Sequence, residues 1–96
     1  MKLLVIFCSG SRIDAVRRLV ETRGAQGFTE IPEALGAGAT GRHLGTRAYP
    51  GTSATILTAV EAGKADELVE ALRELSRTCT VDEGIRVLVL PVERMI

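Results

Sequence analysis

The segment Lys2-Leu3-Leu4-Val5-Ile6-Phe7-Cys8 restricts the fold more than any other part of the chain. Side chains on an extended strand point alternately to opposite faces, so Leu4, Ile6 and Cys8 share one face and Leu3, Val5 and Phe7 the other. A strand with one face in water alternates apolar and polar residues, and this one is apolar on both. It needs cover on each side. A chain of 96 residues supplies one core, not two.

The rest of the sequence offers cover for one face. Ser9-Gly10-Ser11 ends the first strand, and Ser11 with Asp14 three residues on reads as a capping box. Ile13, Val16, Leu19 and Val20 recur at helical spacing, with Arg12, Arg17, Arg18 and Glu21 on the opposite face. Gly24 is placed to end this helix in a left-handed cap. A second strand over 28–35 contains Pro32, which lacks a ladder donor and so belongs at a sheet edge.

Gly36, Gly38, Gly41, Gly45 and Gly51 then punctuate a stretch with no apolar period, read as a long functional or mobile loop. Residues 53–60 form a third strand, which Gly63 separates from a second helix. Leu68, Ala71, Leu72 and Leu75 supply the apolar stripe of that helix. Asp66 and Glu67 in its first turn, with Arg73 and Arg77 near its end, suit the macrodipole. Thr80 to Gly84 make a turn before a last strand over 85–92.

This order predicts a single α+β domain over 1–96, a ferredoxin-like βαββαβ sandwich. Right-handed crossovers put both helices on one face of an antiparallel sheet in the order 4-1-3-2. The other face is left bare although strands 1 and 4 are apolar there, and strand 4 is an edge. Packing the bare faces of several copies together resolves both problems, so the chain is expected to be an oligomer. Periodicity does not set the number of copies.

Twelve basic and twelve acidic residues cancel, which argues against a nucleic-acid partner. No apolar run reaches the roughly 20 residues that span a bilayer, so membrane insertion is not expected. The opening segment resembles a signal core but is short and runs into a helix start. A cytoplasmic protein with Cys8 and Cys79 as free thiols is expected.

The glycine-rich stretch carries the chemistry that composition suggests. Gly36, Gly38 and Gly41 allow the backbone geometry of an anion nest, and Arg42, His43 and Arg47 could pair a phosphate or carboxylate. The plainer reading is a loop whose glycines serve turns and whose arginines are solvated. His43 is the sole histidine; a metal site would need Cys8, Cys79, Asp82 or Glu83 as well, which makes metal the weaker reading. No nucleophile–base pair or paired carboxylate motif stands out, so an enzyme is not expected.

The order of elements, the long loop after strand 2, and the ending Val89-Leu90-Pro91-Val92-Glu93 resemble the PII signalling proteins. Phe28-Thr29-Glu30-Ile31 and Asp66-Glu67-Leu68-Val69-Glu70-Ala71 are similar as well. The resemblance implies a homotrimer with ligands in the clefts between subunits, adenine nucleotides being the usual ones and metal ions or other small anions taking their place in divergent relatives. It also implies that residues 36–52 are the equivalent of the T-loop, the surface that docks on a target protein.

The candidate ligand residues are then Gly36, Gly38, Gly41, Arg42, His43 and Arg47 of the glycine stretch, with Glu83, Gly84 and Arg86 where the family has Gly-Asp-Gly-Lys. The departures are specific. No positive charge precedes Arg42 in the glycine stretch, the phosphate turn has one glycine, and the loop is short and lacks the family's modified tyrosine at its tip. The resemblance is to a divergent, PII-like member.

Overall fold

The computed structural model describes residues 1–34, 36–38, 41–43, 53–79 and 84–96. Its long strands are β1 (Lys2–Ser9), β2 (Thr29–Ala34), β5 (Ser53–Val60) and β6 (Ile85–Pro91). Its helices are α1 (Ile13–Thr22) and α2 (Ala62–Ser76), and two short strands, β3 (Gly36–Gly38) and β4 (Gly41–His43), lie between β2 and β5. The four long strands form one sheet in the order β2-β5-β1-β6, the expected 4-1-3-2 arrangement. β1 pairs antiparallel with β5 on one edge and β6 on the other.

The register assigns the faces. Leu4, Ile6 and Cys8 stand opposite Thr58, Ile56 and Ala54 of β5, and all six are buried. They form the core with Val16 and Val20 of α1 and Ala65, Leu68 and Leu72 of α2. Both helices therefore cover this face. Thr58 is tolerated there because its hydroxyl donates to the Gly27 carbonyl at 2.6 Å.

The other face is bare. Leu3, Val5 and Phe7 stand between Ala59, Leu57 and Thr55 of β5 and Leu90, Leu88 and Arg86 of β6. Phe7, Leu88 and Leu90 are 38%, 48% and 42% exposed, and Ile31 of β2 adds 46%. Exposed apolar side chains grouped on one face are the kind of surface that another molecule covers.

Several local expectations need correction. Ser11 does not cap α1: residues Gly10–Arg12 tighten into a 3-10 turn, Arg12 takes the N-cap position with no side-chain capping bond to the helix, and the Ser11 hydroxyl turns to that of Ser9 at 3.2 Å. Asp66 and Glu67 miss the first turn of α2, because the helix starts at Ala62 and runs through Gly63. Glu67 instead pairs with Lys64 at 3.5 Å. Gly24 does end α1 at φ 90°, with the Ala25 N–H reaching the Val20 carbonyl.

The stretch after β2 is not irregular throughout. β3 and β4 pair antiparallel, Gly36 opposite His43 and Gly38 opposite Gly41. Backbone pairing between two triplets needs no apolar period, so the sequence carried no signal for it. Residues 44–52 and 80–83, with the expectations placed on them, lie outside the described residues.

The edge strand β2 is held by charge. Arg17 of α1 grips Glu30 with two parallel bonds, Nε to Oε1 at 2.6 Å and Nη2 to Oε2 at 2.9 Å, and Nη1 reaches Asp14 at 2.8 Å. This fork-to-fork geometry is the strong form of a carboxylate pair. β2 also has an irregularity between Ile31 and Ala34, where Pro32 sits.

Hydrogen bonding to Arg17 lowers the Glu30 pKa from its ordinary value. A carboxylate whose folded pKa is depressed adds stability above its unfolded pKa, about 4.3, and that stability is lost as pH falls through the folded value. The urea midpoint of the wild type should therefore fall between pH 6 and pH 3 more steeply than that of Glu30→Gln. Parallel profiles would mean that the pair does not stabilise the fold.

Candidate functional site

One end of the sheet is where the segments that carry several of the predicted site residues enter or leave it. Ser9 at the end of β1 stands opposite Ser53 at the start of β5, and Ser53 is also opposite Ala34 at the end of β2. Cys8 stands opposite Ile85 at the start of β6, and the Ser9 N–H donates to the Gly84 carbonyl at 3.3 Å. The Ser53 hydroxyl donates to the Cys8 carbonyl, also at 3.3 Å. Four chain segments thus enter or leave the sheet at a single rim.

The β3–β4 ribbon begins two residues after Ala34, so it leaves from this rim. Gly36, Gly38 and Gly41 occupy extended ladder positions, with Arg42 opposite Ala37 and His43 opposite Gly36. Arg47 and Glu83 lie outside the described residues. Gly84 is half-buried at the rim, and Arg86 is exposed.

The register puts Arg86 on the bare face, opposite Phe7. Its charge therefore stands beside the apolar strip and away from the helices. A molecule bound there would meet whatever covers that strip. The rim is thus joined to the bare face through one residue.

Two features of the rim escape sequence reasoning. Arg12, read as part of an exposed helix face, is half-buried and donates from Nε to the Cys79 sulfur at 3.3 Å, while Nη2 donates to the Thr78 hydroxyl. These partners are 67 and 66 residues away in sequence, and no local pattern links them. The Cys8 thiol is pushed up to about 11, first by burial and then by the negative charge of Glu30. It is a protonated core thiol at neutral pH.

Among the described residues, no three His, Cys, Asp or Glu side chains gather to hold a metal ion. Nor is any helix among them long and apolar enough to cross a membrane.

Comparison with known proteins places this geometry. The sequence profile of the family described as Nitrogen regulatory protein P-II matches residues 1–96. No curated protein matches the chain in sequence. Among solved structures, CPII, a nitrogen regulatory PII-like protein from Thiomonas intermedia, bound to ADP, AMP and bicarbonate, is similar with a TM-score of 0.73 at 21% identity, over 97% of this chain and 88% of that one. The apo form of CPII is similar at 0.67 and 18%, over 98% and 92% of the two chains. A PII-like signalling protein from Thermus thermophilus gives 0.67 at 19%, over 92% and 82%. At these identities the structural likeness shows the shared fold.

Proposed function

The chain belongs to the nitrogen regulatory protein P-II family, and we propose that it acts as a trimeric cytoplasmic regulator that binds a small anionic ligand. In this reading the ligand sits between subunits, and residues 36–52 form the equivalent of the T-loop that presents its state to a target protein. The ligand residues are Gly36, Gly38, Gly41, Arg42, His43 and Arg47, with Glu83, Gly84 and Arg86 at the start of the last strand.

The observation that carries the proposal is the shared rim. The glycine ribbon and Gly84–Arg86 are about fifty residues apart in sequence, yet both leave the sheet at the end defined by Ser9 and Ser53. Arg86 stands on the face that a neighbouring copy would cover, so a ligand held there would lie between copies. CPII, which shares this fold, is bound to ADP, AMP and bicarbonate, and these are the first ligands to test.

Assembly follows from the bare face. Light scattering should give three times the chain mass of 10.3 kDa. Leu88→Glu, on the exposed strip, should give a folded but dissociated chain; a wild-type monomer would overturn the trimer.

Ligand binding supplies an independent check. Calorimetry with ADP, AMP and bicarbonate should find binding to the wild type. Replacing Arg42 and Arg47 together by Ala should weaken it tenfold or more with the fold intact, since a hydrogen bond to a charged group is worth about 1.5–3 kcal/mol. Binding of divalent metal alone, abolished by His43→Ala, would replace the anion by a metal. Binding of neither class would leave a structural oligomer.

A further inference from the structure

Cys8 and Cys79 lie far apart in sequence, but the fold carries them to the same place. Cys8 is near the end of β1 on the helix-facing side, 4% exposed, in the cluster that includes Leu68, Leu72 and the partly buried Leu75 of α2. α2 begins after the end of β5 that pairs with Lys2 and runs for 15 residues, about 22 Å at 1.5 Å per residue. That length takes its C-terminal end to the opposite end of β1, where Cys8 sits. Cys79 follows at once, half-buried, its sulfur 3.9 Å from the Leu75 carbonyl.

Two further links cross the same gap. Arg12 lies four residues after Cys8 and donates from Nε to the Cys79 sulfur at 3.3 Å. Five residues after Cys79 the chain rejoins the sheet at Gly84, whose carbonyl accepts the Ser9 N–H, and Ile85 stands opposite Cys8. Both thiols are free.

We propose that Cys79 and Cys8 are an intrachain thiol pair that hydrogen peroxide closes to a disulfide, tying the C-terminal end of α2 to the end of β1. Cys79 reacts first because it is the more exposed of the two. Its sulfur attacks one peroxide oxygen, the O–O bond breaks, and the products are a Cys79 sulfenic acid and water. The Cys8 sulfur then attacks the Cys79 sulfur, its S–H proton leaves with the departing hydroxyl as a second water, and the S–S bond forms. Two thiols are oxidised and one peroxide is reduced to two waters. In a reducing compartment such a bond is transient and reports oxidant.

The bond would close a loop around most of the chain and would restrain the unfolded state. The test uses the full chain exposed to hydrogen peroxide, then alkylated with a maleimide in denaturant. Expected are loss of both alkylatable thiols, a mass lower by two hydrogens, and a peptide pair joining Cys8 to Cys79. The melting temperature should rise and return to its starting value with dithiothreitol. In Cys79→Ser, the Cys8 thiol should stay alkylatable after the same exposure. Oxidation of Cys79 to sulfinic acid with Cys8 left alkylatable would overturn the proposal, as would cross-links joining two copies. The wild-type peptide map decides even if a cysteine variant fails to fold.

Discussion

β1 is bonded on both edges and apolar on both faces, so none of its sides is suited to water. One face is satisfied within the chain, where Leu4 and Ile6 are fully buried under Val16, Val20, Leu68 and Leu72. The other is not, because both helices have been used. Crossovers of this kind are right-handed as a rule, and two right-handed crossovers in this order cannot place helices on opposite faces. The exposure of Phe7, Leu88 and Leu90 is thus a direct result of the topology that buries the core. Burial of each such apolar side chain against a partner would contribute about 1.5–3 kcal/mol.

Much of this was legible in the sequence. The third strand was read with its observed limits, and the first and last within a residue, because apolar runs and flanking glycines report extended segments directly. The 4-1-3-2 order followed from chain order and crossover handedness. Local terminus chemistry was less legible. Ser11 and Asp14 have capping-box spacing, but the 3-10 turn at Gly10–Arg12 shifted the helix start to Ile13. Gly63 looked like a boundary and lies inside α2, where a glycine costs only about 1 kcal/mol relative to Ala.

The site was legible in part and for a physical reason. Gly36, Gly38 and Gly41 were noticeable because composition changes there, although their pairing into a ribbon left no periodic trace. What sequence could not show is which segments share a rim. Arg12 and Cys79, or Arg17 and Glu30, are pairs made by tertiary packing. Each residue alone looks like an ordinary surface charge or core filler. Arg86 is similar: its type was visible, but only the β1–β6 register places it beside Phe7 on the bare face.

The two edges of the sheet are unlike. β2 carries Pro32 and a break in register, so its outer side offers a poor template for another strand. β6 is regular along its pairing with β1, from Ile85 to Pro91. A fibril grown by adding sheet to sheet needs two receptive edges on every copy. With one receptive edge, a stray pairing through β6 uses up the only growing end of both partners and stops there. The molecule can therefore carry an exposed apolar face without polymerising along its strands.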